Sequence, residues 1–259
     1  MSLRPVSSAS RWDRKRLREA ANAVLTAGLK AADPALLVKR HLHLDDDSLS
    51  VAGVRHRFRE GRRLVVVSAG KAAGPMAQAA EEVLGERIDH ALAVDTSARG
   101  TLQRTQVRLA RHPVPDRRGL EAAAALESLA QGLDKDDLLL VLVSGGASAL
   151  LPAPVPGITL EDKAVVTSLL TRAGATIGDT NTVRKHLSRL KGGGLARAAS
   201  PARVVCLVLS DVVGDDLSTI ASGPTVPDPT TYADAIEVLE RFGLAATAPA
   251  AVRRHLAAG

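Results

Sequence analysis

Short, uninterrupted apolar runs alternate along the chain with longer segments whose apolar residues recur at helical spacing. The runs at 64–67, 138–143 and 204–209 carry no polar interruption, which is typical of strands buried on both faces of a parallel sheet. Shorter runs at 91–94 and 107–110 predict two more strands. The predicted helices cover about 12–29, 34–44, 74–84, 117–131, 159–173, 181–199, 233–242 and 250–257.

Strands that alternate with helices predict an α/β fold in three layers, with a Rossmann-like, mostly parallel sheet flanked by helices. We expect one domain over residues 1–259, with a helical arm at about 10–44. Asp33 and Pro34 form a helix start signal, and Gly85 a helix end signal. The acidic stretch 45–48 predicts a surface turn.

Composition narrows the class of protein. Hydrophobic residues make up 46% and charged residues 24% of the 259 residues, as in soluble globular proteins. A single cysteine excludes a disulfide framework. Aromatic residues, at 2%, are too few for a platform that stacks single-stranded nucleic acid. No apolar run reaches the roughly 18 residues of a membrane span, so we expect no membrane partner and a cytoplasmic protein.

The net charge of +6 is compatible with two kinds of partner. Its densest patch lies at Arg11–Arg18, and the other basic residues are spread along the chain. A basic cleft for an anionic metabolite explains this distribution as well as nucleic acid does. We therefore expect a small anionic ligand and no nucleic acid.

Glycine-rich loops follow two of the predicted strands. The first contains Gly70 and Lys71, and it matches neither GxxxxGK[ST] nor GxGxxG. The second is Ser144-Gly145-Gly146-Ala147-Ser148, which lacks the glycines of a nucleophile elbow. Backbone N–H groups in such loops bind phosphate or carboxylate oxygens, although the first loop also fits a plain turn with an exposed lysine.

Two further segments carry charged residues suited to an anion site. Within the predicted helix 181–199, Arg184, Ser188 and Lys191 stand at i, i+4 and i+7, which places them on one face. Asp211 follows the last strand, where a carboxylate can ligate Mg²⁺ or cap a helix. Glycine loops, cations and this carboxylate together favour phosphoryl transfer.

The ordered motifs of the chain resemble the N-terminal domain of the class II glycerate 2-kinases, a family long labelled hydroxypyruvate reductases. The resemblance runs from about Trp12 to the C-terminus. It rests on six segments: Ser68–Ala72, His112–Asp116, Ser144–Leu150, Asn181–Ser188, Lys191–Gly193 and Ser210–Asp215 continued through Ile220–Thr225.

This resemblance implies ATP- and Mg²⁺-dependent phosphorylation of the 2-hydroxyl of D-glycerate in a cleft between two domains. Lys71, Arg184 and Lys191 would be catalytic, and Asp211 would hold the metal. The residues that would bind substrate or phosphate are Gly70, Ser144, Gly145, Gly146, Ser148, Asn181, Lys185, Gly192, Gly193, Ser222 and Gly223.

Members of this family continue into a second, C-terminal domain, and we expect that domain to be absent from these 259 residues. Its supply by a separate polypeptide and a homodimeric assembly both stay open. Two other functions also stay open. One is an NAD(P)H-dependent hydroxypyruvate reductase, and the other is a non-catalytic remnant that binds nucleotide or glycerate.

Overall fold

The computed structural model describes residues 13–58, 61–97 and 101–259. Trp12 and Arg11, which open the predicted arm and the basic patch, lie outside these residues. The helices are α1 (Arg14–Ala31), α2 (Pro34–His41), α3 (Ala73–Leu84), α4 (Arg117–Gln131), α5 (Ala147–Leu150), α6 (Leu160–Arg172), α7 (Ile177–His186), α8 (Gly194–Ala199), α9 (Tyr232–Arg241) and α10 (Ala250–Ala257). The strands are β1 (Leu42–Asp45), β2 (Ser48–Val51), β3 (Val54–Arg57), β4 (Leu64–Ala69), β5 (His90–Asp95), β6 (Thr105–Leu109), β7 (Leu138–Ser144) and β8 (Arg203–Leu209).

Five strands form the parallel sheet that the apolar runs predict. Their order is β6-β5-β4-β7-β8, and every neighbouring pair is parallel. The chain therefore builds the sheet outward from β4 in one direction and from β7 in the other. A crevice at the carboxyl ends of two such strands is where open α/β sheets bind ligands.

Alternation along the strands produces a core on each face of the sheet. Val65 and Val67 of β4 face α4, α5 and α8, whereas Leu64 and Val66 face α2 and α3. Small alanines in α3 and α4 allow the helices to pack closely on the sheet. These observations confirm the three-layer prediction.

A small antiparallel sheet of β1, β2 and β3 was not predicted. The predicted helix 34–44 was wrong at its end, because α2 stops at His41 and the chain enters β1. Each strand has only four residues, so the apolar signal was too short to separate strand from loop. The predicted acidic turn is confirmed, because Asp45 pairs with Ser48 across it.

Helices α6, α7, α9 and α10 enclose a core of their own beside the sheet layers. Capping boxes start three of these helices, at Thr159, Thr176 and Thr231. In contrast, α1 buries none of its residues. Among the described residues, no helix combines the length and apolar character needed to cross a lipid bilayer.

Candidate functional site

The loops that follow β4 and β7 touch each other at the centre of the sheet. Lys71 N–H donates to the carbonyl of Gly145 at 2.9 Å, and Ala72 N–H donates to Ser144 Oγ at 3.0 Å. Gly70 has φ of +129°, and a Cβ at this position would lie 2.5 Å from the Ser144 carbonyl oxygen. Only glycine fits here, so the two predicted loops are locked together.

The backbone N–H groups of the first loop and of the start of α3 already have acceptors within the protein. Gly70 N–H donates to Val94, and Gly74 N–H donates to the buried carboxylate of Asp95 at 2.8 Å. With Lys71 and Ala72 also engaged, the expectation that the Gly70 backbone binds phosphate is not supported by the geometry. Of the two predicted anion loops, the second keeps free donors, because the N–H groups of Gly146, Ala147 and Ser148 have no acceptor within the described residues.

Lys71 and His112 flank this second loop. A Cβ on Gly146 would lie 3.2 Å from Lys71 Cγ and 3.0 Å from His112 Cδ2. Burial and then the charge of Lys71 lower the pKa of His112, so the imidazole is neutral at pH 7. The sequence motif contains His112, but only the fold shows that it lies beside Lys71.

Asp211 lies against the same loop from β8. A Cβ on Gly145 would lie 2.8 Å from Asp211 Cγ, so the glycine is what admits the carboxylate. No cluster of three metal-binding His, Cys, Asp or Glu side chains exists among the residues described. Mg²⁺ commonly binds to one or two carboxylates plus substrate phosphates, and an exposed Asp211 beside open amides fits that mode.

A relay of hydrogen bonds leads away from the other end of the loop. Arg184 Nη2 donates to Ser148 Oγ at 2.8 Å. Ser148 and Ser222 hydroxyls are 2.9 Å apart, and Ser222 Oγ donates to Asn181 Oδ1 at 3.1 Å. Because Ser222 gives its proton to Asn181, Ser148 is the donor to Ser222. Lys191 Nζ also reaches this point, donating to the Ser148 carbonyl at 2.7 Å.

The predicted single helix 181–199 was wrong. The helix α7 ends at His186, and α8 begins only at Gly194. The chain leaves the helix at Leu187, and Gly192 and Gly193, with φ of +53° and +78°, lie just before α8 begins. Arg184 and Lys191 therefore do not share a helical face, yet the intervening turn brings both to Ser148.

Three predicted residues hold the site in place and have their polar groups engaged elsewhere. Lys185 is buried, and its Nζ forms an ion pair with Asp228 Oδ1 at 3.2 Å. The sequence did not indicate this partner. The N–H groups of Gly192 and Gly193 donate to the carbonyls of Ser222 and Gly223 at 3.0 and 2.7 Å. These bonds fix a segment in which Ser222 and Gly223 both have positive φ.

Lys163 is a site residue that sequence reasoning missed. It lies on the buried face of α6, and its Nζ donates to the carbonyl of Leu187 at 2.8 Å. Together with Arg184 and Lys191 it lines a cavity of about 200 Å³ beside Ser148. The sequence contained a signal for this role, because Lys163 shares the apolar face of a capped helix with Val166 and Leu170.

Comparisons with known proteins agree with the motifs. Residues 20–257 match the family model described as a domain of unknown function, DUF4147. The chain is 44% identical to the glycerate kinase of Bos taurus, over 93% of this chain and 49% of that protein. It is 40% identical to the glycerate 2-kinase of Pyrococcus horikoshii, over 94% of this chain and 54% of that protein.

A solved structure agrees as well. The crystal structure of the glycerate kinase of Thermotoga maritima aligns with a TM-score of 0.79 at 36% identity, over 93% of this chain and 55% of that one. The chain thus spans about half the length of the curated relatives it matches. The resemblance to class II glycerate 2-kinases is confirmed in sequence and fold, and the chain belongs to the DUF4147 family.

Proposed function

We propose that this chain carries the site at which a glycerate 2-kinase transfers a phosphoryl group from ATP to the 2-hydroxyl of D-glycerate. The observation that carries the proposal is the loop Gly145–Ser148. Lys71 and Asp211 lie on one side of it, and Arg184 and Lys191 lie on the other. The names of the relatives support the same chemistry.

The Lys71 side of the loop suits the phosphates of MgATP. Asp211 would hold Mg²⁺, and the open N–H groups of Gly146, Ala147 and Ser148 would donate hydrogen bonds to phosphate oxygens. Bound there, Mg²⁺ would neutralise charge that develops on the transferred group. Lys71 is exposed and would add a positive charge at the same place.

The work of these residues is positioning and electrostatic stabilisation, which dominate phosphoryl transfer. Ser148 is central, because it touches Arg184 and Ser222 through its hydroxyl and Lys191 through its carbonyl. The relay through Ser222 to Asn181 keeps the Ser148 side chain in one orientation. D-glycerate would bind beside it.

Phosphorus NMR on a mixture of the chain, ATP, Mg²⁺ and D-glycerate tests the proposal. We expect a 2-phosphoglycerate signal, with the chain alone or after addition of a polypeptide that matches the rest of the relatives' length. Lys71→Met should slow the reaction at least a hundredfold. Lys135→Met should not, because Lys135 is an exposed residue just before β7, at the opposite end of the strands. No signal under either condition, or NADH oxidation with hydroxypyruvate instead, would contradict the proposal.

A cytoplasmic location and the assembly of the chain stay predictions from the sequence. The same holds for the preference for ATP over other phosphate donors.

A further inference from the structure

A cavity of about 200 Å³ lies beside Ser148, on the side of the glycine loop away from Asp211. We call it the cation pocket. Its positive side is formed by Lys163, Arg184 and Lys191, and its apolar side by Pro113, Val114 and Pro152. Lys163 and Lys191 are 7% and 3% exposed, so the charges are held inside the protein.

The three cations have no carboxylate partner within the part of the chain that the structure describes. Each donates to a neutral oxygen: Lys163 to the Leu187 carbonyl, Arg184 to the Ser148 hydroxyl and Lys191 to the Ser148 carbonyl. Buried charges are normally paired, because their desolvation is costly. This group therefore lacks a counter-ion.

The electrostatics of the group point the same way. Burial, and to a smaller extent the charges of Arg184 and Arg189, lower the pKa of Lys163 to about 7. Burial also holds the pKa of Lys191 well below its usual range, with contributions from Arg184 and Lys163. Arg189 is neutralised by Glu127 at 2.7 Å. The lowered pKa values of Lys163 and Lys191 therefore reflect burial without a negative partner, and a bound anion would favour their charged forms.

Size and lining restrict the anion. Pockets for drug-sized ligands occupy about 300–1,000 Å³, so this smaller cavity suits a molecule of a few carbon atoms and excludes a nucleoside triphosphate. The proline and valine wall matches a carbon skeleton. The carboxylate that would hold a metal, Asp211, contacts the loop at Gly145, three residues before Ser148.

We infer that the cation pocket binds the carboxylate of the acceptor acid, with Lys163 as a specificity-determining residue. The inference rests on the proposed function in naming D-glycerate as that acid. The acid would lie with its carboxylate between Lys163 and Arg184 and its carbon chain along Pro113 and Val114. Its 2-hydroxyl would then face the glycine loop, where the phosphates are proposed to bind.

Calorimetric titration of the full chain tests this assignment. D-glycerate should bind at least a hundredfold more tightly than glycerol, which lacks the carboxylate. Lys163→Met should raise the Kd of D-glycerate at least tenfold, and Lys163→Arg should recover part of the loss. MgATP should bind both variants within twofold of the wild type, and Lys135→Met should bind both ligands normally.

A second variant tests the pocket without removing a buried lysine, in case Lys163→Met does not fold. Ala164 lines the same cavity and is exposed on α6. Ala164→Leu should therefore narrow the cavity and weaken the binding of D-glycerate without removing a charge. An unchanged Kd for D-glycerate in folded Lys163→Met would overturn the inference. So would inorganic phosphate that binds more tightly than D-glycerate through Lys163, since this would assign the pocket to a phosphate group.

Failure of the inference and failure of the proposed function give different results. If Lys163 governs D-glycerate binding but no 2-phosphoglycerate forms, the cation pocket stands and the kinase proposal fails. If 2-phosphoglycerate forms and Lys163→Met leaves the KM for D-glycerate unchanged, the kinase proposal stands and the assignment of the pocket fails.

Discussion

Gly70 shows how a single residue joins two loops into one site. Its φ of +129° is open to glycine, and a Cβ would meet the backbone of Ser144 at 2.5 Å. Gly70→Ala should therefore lower the free energy of unfolding by about 3 kcal/mol, as measured by urea denaturation. Gly178→Ala is the matched control, because the nearest atom to its Cβ would lie 3.6 Å away. Similar losses in both variants would contradict this account.

The burial of Lys163 predicts that the stability of the protein depends on pH. Its folded-state pKa of about 7 lies below the usual 10.5, so between these values the unfolded chain binds one more proton than the folded chain. Stability from this group therefore rises with pH, by about 1.4 kcal/mol per pH unit within that window. Below pH 7, Lys163 is charged in both states and the full burial penalty applies.

Lys163→Met removes this dependence. The free energy of unfolding, measured by urea denaturation at pH 6 and pH 9, should be higher for the variant than for wild type, and the difference should be larger at pH 6. Lys135→Met, which removes an exposed lysine, should leave the pH dependence unchanged. If Lys163→Met and wild type differ by the same unfolding free energy at both pH values, Lys163 is not buried as described.

At the scale of the residue, the motifs singled out side chains that the fold brings together, and the roles given to them stay predictions. Lys71, Ser148, Arg184, Lys191 and Asp211 all lie at or beside the loop Gly145–Ser148. Local sequence could not show that N–H groups of the first loop and of α3 would be used by Val94 and Asp95, because these acceptors come from another strand. The position of Lys163 on the apolar face of its helix was visible in the sequence, but its neighbours were not, since they lie on α7 and beyond.

At the scale of the element, the capping box of α6 positions Lys163. Thr159 Oγ1 accepts from Asp162 N–H at 3.0 Å, and the Asp162 carboxylate accepts from Thr159 N–H at 2.9 Å. Thr159→Ala should cost about 1 kcal/mol of unfolding free energy, measured by urea denaturation. Thr159→Ser keeps the hydroxyl and should stay near wild type, and equal losses in the two variants would contradict the capping role.

Boundaries of elements were predictable where a chemical signal marks them. Two helices begin where expected, at Asp33-Pro34 and at the Thr159–Asp162 capping box. One helix ends where expected, at Gly85. The break between α7 and α8 was missed, although the glycines at 192–194 marked it. It depends on hydrogen bonds from Gly192 and Gly193 to residues 222 and 223, which the local pattern does not contain.

At the scale of the whole molecule, strand order decides where the site lies. The sheet reverses its direction of growth between β4 and β7, and the two glycine loops meet at that reversal. Alternating strands and helices predicted the layers, but not the strand order or the separate core of α6, α7, α9 and α10. Both depend on contacts between residues far apart in sequence.

The most direct test is a crystal structure of the chain with D-glycerate and Mg²⁺ plus a non-hydrolysable ATP analogue. We predict the γ-phosphate at the amides of Gly146–Ser148, with Mg²⁺ on Asp211 and Lys71 close by. The glycerate carboxylate should lie between Lys163 and Arg184, with the 2-hydroxyl turned toward the γ-phosphate. Nucleotide phosphates in the cation pocket, or glycerate bound away from Ser148, would contradict this prediction.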